Sequence, residues 1–174
     1  MKIRIAGTVD DSIVDGPGYR YAIFTQGCPH HCHGCHNPDT HTFDGGKTVD
    51  TAVIIDRFSQ NPILDGITLT GGDPLCQPVP CLDLARAAHK KGLNVWAYTG
   101  YVWERLIAEN NPALMELLKD IDVLVDGPFI QEKKSLELKF CGSNNQRLID
   151  VPQSLIAGEV ILWQCPSWDV IKGE

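Results

Sequence analysis

The chain has 174 residues, of which 43% are hydrophobic and 21% charged, with a net charge of −7. That length suits one domain, residues 1–174, around a single buried core, and the acidic balance argues against a clamp for nucleic acid, which needs a basic face. No run approaches the about 18 apolar residues of a membrane span, and MKIRIAGTVDD has acids too close behind its one short apolar stretch for a signal peptide, so a cytoplasmic protein is expected.

In chain order, RYAIFTQ (20–26) follows the turn signal DGPG and reads as a strand. TVDTAVIIDRFSQN (48–61) predicts a helix that opens on Thr48 as N-cap and stops before Pro62. GITLT (66–70) is a second strand, closed by Gly71 and Gly72. CLDLARAAHKKG (81–92) is a helix with basic residues in its last turn and Gly92 just beyond it. LNVWAYT (93–99) is a third strand. Residues 102–119 carry helical patterns on either side of the breaker Asn110-Asn111-Pro112. DVLVDGPF (122–129) holds a fourth strand, and RLIDV (147–151) and GEVILW (158–163) read as two short late strands.

Alternating strands and helices predict parallel pairing through right-handed crossovers. Ligands of such sheets gather at the carboxyl ends of the strands. A cysteine-rich loop, TGGDP, TGY and DGPF follow the four strands in turn, so all four loops belong to that edge. The expected fold is α/β, an incomplete barrel with a mostly parallel sheet, since the chain falls well short of the roughly 250 residues of a closed eight-fold barrel.

The loop GCPHHCHGCHNPDTH (27–41) places Cys28, Cys32 and Cys35 among five histidines. Seven cysteines in all is an odd count, and disulfides are rare in a reducing compartment, so the three clustered ones predict a metal site. Cys76, Cys81, Cys141 and Cys165 read as buried or inert thiols. Zinc and an iron–sulfur cluster both take thiolates. Zinc would need a fourth ligand, whereas a [4Fe–4S] cluster held by three cysteines leaves one iron open.

The spacing Cys28-x3-Cys32-x2-Cys35 resembles the cluster motif of the radical S-adenosylmethionine (SAM) superfamily. With SIVDGPGYR (12–20), LTGGDPL (69–75), YTGY (98–101), VLVDGPF (123–129) and GSNNQRLIDV (142–151), in that order, most of the chain resembles the activating proteins of anaerobic ribonucleoside-triphosphate reductases. It departs from them at His41 and Cys141, where tryptophan and arginine are common.

The resemblance implies a radical-SAM-type partial (β/α) barrel and an enzyme that splits SAM reductively at a [4Fe–4S] cluster. It also implies two partners: the catalytic subunit of the reductase, on which a glycyl radical is made, and an electron donor such as a small flavoprotein. Neither nucleic acid nor membrane is implied. Cys28, Cys32 and Cys35 would be the cluster ligands. Gly34, Cys35 and His36 would back onto SAM, with the His36 ring able to stack on adenine or to be an ordinary surface histidine. Gly71 and Gly72 would let backbone approach the methionine ammonium, and Asp73 would hold that ammonium directly or through its backbone. Tyr98 and Thr99, with Gly100, would border the ribose, although Tyr98 is equally readable as core. Asp126, Gln146 and Arg147 would shape the opening for the partner, and Arg20 is readable as a salt-bridge residue. No general acid or base is called for. The alternatives are another radical SAM enzyme, either an activase for a different target or a small-molecule mutase, and a zinc-binding adaptor.

Overall fold

The computed structural model describes residues 1–165. Seven strands form one sheet: β1 (Lys2–Ser12), β2 (Arg20–Thr25), β3 (Lys47–Asp50), β4 (Gly66–Gly71), β5 (Asn94–Tyr98), β6 (Val123–Asp126) and β7 (Arg147–Asp150). Their spatial order is β3-β1-β2-β4-β5-β6-β7. The four expected strands, β2, β4, β5 and β6, pair in parallel. β1 and β7 run antiparallel to their neighbours, and β3, antiparallel to β1, shares the direction of β2. Five strands therefore point one way. The crossovers carry α1 (Thr51–Gln60), α2 (Pro78–Lys90), α3 (Trp103–Glu109) and α4 (Pro112–Leu118), and α5 (Val151–Ala157) follows β7.

Period-two alternation sorts the side chains of each strand between the two faces. Ile67 and Leu69 of β4 and Val95 and Ala97 of β5 join Ile54, Phe58, Leu84 and Leu106 in the main core under the helices. The opposite face of β5 carries Trp96, which is buried with Val123 and Val125 beneath the partly buried Phe140, Leu148 and Trp163. The helices thus close one face, and the other is left for the site. No described helix is long and apolar enough to cross a membrane.

Four local expectations are corrected. Thr48 is not the N-cap of α1: it lies in β3 opposite Arg4, and Asp50 caps the helix by accepting from Ala52 N at 3.1 Å. The α2 helix begins three residues before Cys81, at Pro78, where the ring's fixed φ suits a first turn. β1 is a full eleven-residue strand where the sequence shows only a short apolar stretch. GEVILW is no strand of the sheet: Leu162 makes a single bridge to Ile149, and the segment between them is α5, capped by Asp150 and ended by Gly158 at φ +73°.

Candidate active site

The carboxyl ends of β2, β4, β5 and β6 meet at one cavity of about 130 Å³, whose wall includes Cys28, Cys32 and Cys35. All three thiols are free, Cys28 buried and the other two partly so. The loop that carries them is pinned at its base. Gly27 N donates to Thr40 O at 2.8 Å, Cys28 N donates to His41 O at 3.0 Å, and the buried Gln26 amide donates to Thr42 O at 2.7 Å. Burial pushes the Cys28 thiol above its ordinary value, with the His30 backbone N–H opposing. Binding a metal reverses that preference, because thiolate is the ligand.

The TGGDP loop is laid directly against the cysteine loop. Gly72 N donates to Thr25 O at 2.8 Å and Asp73 N donates to Gly27 O at 2.9 Å. Gly71 has φ +92°, and a Cβ there would stand 2.6 Å from the Phe24 Cα; one on Gly72 would stand 2.5 Å from the Gly27 carbonyl oxygen. Both glycines are needed for backbone-to-backbone contact between the two loops, and both also line the cavity.

Asp73 is placed differently from a ligand-facing acid. It is fully buried, and its carboxylate accepts from Leu75 N (2.9 Å), Thr99 Oγ1 (2.9 Å) and Gly100 N (3.1 Å), and meets His30 Nε2 at 2.7 Å. One carboxylate therefore ties the cysteine loop, the GGD turn and the TGY loop together. It is not part of the cavity wall, whereas His30, Thr99 and Gly100 are.

His36 and Tyr98 both line the cavity. His36 packs against Phe129, with ring centroids 4.9 Å apart. Burial pushes the Tyr98 phenol well up, so it stays neutral. Gly34, at φ +72°, turns away from the cavity toward the Gln131 side chain. Gln146 accepts from Gly142 N at 2.8 Å and donates to Gly127 O at 3.0 Å, stitching the GSNN stretch to the loop after β6. Asp126 and Arg147 form a two-bond ion pair across β6 and β7, and Arg147 also grips Glu104 at 2.8 and 2.9 Å. That pair braces the rim; only Gln146 reaches the cavity wall.

Arg20 sits at the far end of β2 and forms no salt bridge among the described residues. It is fully buried and bonded to Thr68 Oγ1 and to the carbonyls of Ile67 and Pro17, with its guanidinium 5.4 Å from the Trp96 ring. Burial lowers its pKa to about 10. Cys81 lies in the core, and burial pushes the Cys76 and Cys141 thiols up to about 12 and 11. Among the described residues, no three His, Cys, Asp or Glu side chains converge at single-ion distance.

The sequence reading gave no site role to His30, Asn37, His41, Thr70, Gly127 and Phe129, all in the cavity wall. Their only signal was position, in the cysteine loop or at the carboxyl end of β4 or β6.

The family of 4Fe-4S single cluster domains matches residues 14–149. The anaerobic ribonucleoside-triphosphate reductase-activating protein of Salmonella typhimurium is 39% identical over 142 residues, 77% of this chain and 90% of that protein. The chain belongs to the family of anaerobic ribonucleoside-triphosphate reductase-activating proteins. The relative from Escherichia coli K12 is 36% identical over 143 residues, with the same coverage. That of phage T4 is 33% identical over 141 residues, 78% of this chain and 86% of its own. Among solved structures, QueE from Escherichia coli aligns with TM-score 0.43 and 17% identity over 57% of this chain and 53% of that one.

Membership decides between the two metals that cysteine spacing left open: the group is an iron–sulfur cluster. The residues fit it. Three free thiols share one cavity, with no fourth cysteine in its wall. The His41 imidazole, also in the wall, has a sheltered Nε2 with no partner among the described residues, and sulfur atoms of a cluster would be natural acceptors for it.

Proposed function

We propose that this chain, as one radical SAM domain, reductively cleaves SAM at its [4Fe–4S] cluster and generates a glycyl radical on an anaerobic ribonucleoside-triphosphate reductase. The observation that carries the reading is the convergence of the three cysteines with the GGD, TGY and DGPF loops on one cavity, in a chain of this family. The sheet is then the partial (β/α) barrel of radical SAM enzymes, the setting is the cytoplasm, and the electron comes from a donor such as a small flavoprotein.

Cys28, Cys32 and Cys35 would hold the cluster, and three thiolates for four irons would leave one position open to SAM. When bound, the cluster supplies one-electron reduction of the SAM sulfonium, and the radical chemistry is the cofactor's own. The protein's part is placement. Gly71 and Gly72 give the methionine end a wall of backbone. His36, Cys35, Tyr98 and Thr99 border the nucleoside, with Gly34 shaping the turn behind them. Asp73 positions through His30, Thr99 and Gly100, holding the loops in register and leaving ammonium contact to neighbouring backbone. The neutral Tyr98 and the apolar Phe129 help to keep water from the reacting centre.

Anaerobic reconstitution with iron and sulfide, followed by EPR of the dithionite-reduced protein with and without SAM, tests the reading. A reduced-cluster signal that shifts on adding SAM, and a glycyl radical on the reductase after mixing, are expected. A colourless zinc protein indifferent to SAM would overturn it. SAM cleavage that turns over a free small molecule, with no radical on the reductase, would move the activity elsewhere in the superfamily.

A further inference from the structure

β1 is paired unevenly. Toward β2 it is bonded from Ile5 to Ser12, but toward β3 only from Lys2 to Ile5. From Ala6 onward its outer edge has no strand neighbour among the described residues, and at its far end the Asn61 side chain donates to Asp10 O at 3.5 Å and to Asp11 Oδ1 at 2.8 Å. A free strand edge is a template for another extended chain.

No β1 residue lines the cysteine cavity itself, but two hollows against β1 share residues with it. Gly7, Thr8 and Val9 line a hollow of about 330 Å³ together with Phe24, His36 and Asn37. Val9, Ser12 and Asp15 form one wall of a larger cleft of about 560 Å³, whose other wall is Leu138, Phe140 and Cys141. His36 and Asn37 belong to both hollows and to the cavity of the three cysteines. The three spaces therefore adjoin at His36 and Asn37.

We propose that the segment of the reductase bearing the target glycine docks here as an added strand on the free edge of β1, and this rests on the function proposed above. The reacting atom is a glycine α-carbon, which brings no side chain to be recognised. Recognition must then come from the main chain on either side, and strand addition supplies main-chain hydrogen bonds. Charge narrows the occupant. Asp10 and Asp11 are exposed along the edge, Asp39 is exposed beside the smaller hollow and Asp15 lines the cleft. None of the four has an ion-pair partner among the described residues. A second copy of this chain would bring the same acids together, so the edge suits a segment with Lys or Arg near its glycine. Val9 and Val14, 45% and 73% exposed, offer apolar contact to its alternate side chains.

The test uses the reconstituted, SAM-loaded protein and a labelled synthetic peptide spanning the reductase's target glycine, with binding read by fluorescence anisotropy. The peptide is then N-methylated at one backbone position at a time. Removing a ladder hydrogen bond weakens binding by up to about tenfold, so losses at every second residue, with little change between, are expected. The D10K/D11K double variant is expected to bind the unmodified peptide more weakly at low salt. Uniform tolerance of N-methylation overturns strand addition, as does failure of the peptide to bind while the intact reductase acquires its radical. Self-association of the chain that is abolished by D10K/D11K would assign the edge to a second copy instead. The SAM-dependent EPR shift of the unmodified protein separates the two levels: if it is present, a negative peptide result removes only the docking inference; if it is absent, the function itself falls.

Discussion

Replacing Asp73 by asparagine tests whether the GGD acid acts as an internal clamp. Oδ1 accepts one N–H, from Leu75, and Oδ2 faces three partners: the Thr99 hydroxyl, Gly100 N and His30 Nε2. An asparagine can keep one carbonyl oxygen in place, but its amide NH2 then opposes a backbone N–H that can only donate, Leu75 N on one side or Gly100 N on the other. Asp73 is fully buried, so water cannot take over. A hydrogen bond to a charged group contributes about 1.5–3 kcal/mol, and stranded buried donors cost about 1–3 kcal/mol each. Because neighbouring losses are not additive, about 3 kcal/mol is a fair total. At about 2–4 °C per kcal/mol for a chain of this size, D73N should melt about 6–12 °C lower than the wild type. The measurement is a thermal melt of the cluster-free protein, where SAM plays no part. An Asp73 whose role was solely to hold SAM would leave that melt unchanged and weaken only SAM binding. A D73N melting temperature equal to the wild type would therefore refute the clamp.

Substituting alanine for Cys28, Cys32 or Cys35 should each abolish the reconstituted cluster, read as iron content against about four per chain in the parent. Cys165→Ala should leave iron content unchanged, since its thiol is exposed and outside the cavity. Gly71→Ala should destabilise by about 2–4 kcal/mol in a urea titration, because φ +92° and the Phe24 Cα at 2.6 Å leave no room for a methyl. Arg147 holds the Glu104 carboxyl down at about 2 against an ordinary 4.5. A depressed folded-state value gives stability that is present above pH 4.5 and lost as pH falls toward 2. Glu104→Gln should therefore flatten that part of the stability profile, measured as melting temperature against pH, by a small amount because Glu104 is 62% exposed.

What the sequence by itself determined was whatever local chemistry dictates. Thiols at fixed spacing, glycines after strands, and short apolar runs alternating with helical segments identified four parallel strands and the edge that carries the site. Those signals reside in a few consecutive residues, so no partner segment is needed to read them. Only the tertiary structure decided that KIRIAGTVDDS is a strand, because Ile3 and Ile5 become a buried face only when α1 and α2 cover them. It also decided that Asp50 rather than Thr48 caps α1, since pairing with β1 draws Thr48 into β3. Above all it decided what Asp73 touches. A carboxylate after two glycines reads as a holder of the SAM ammonium, directly or through its backbone, and nothing nearby in the chain shows its other contacts. Its Oδ2 partners lie 26, 27 and 43 residues away, on Thr99, Gly100 and His30, and fold-wide packing brings them to one buried point.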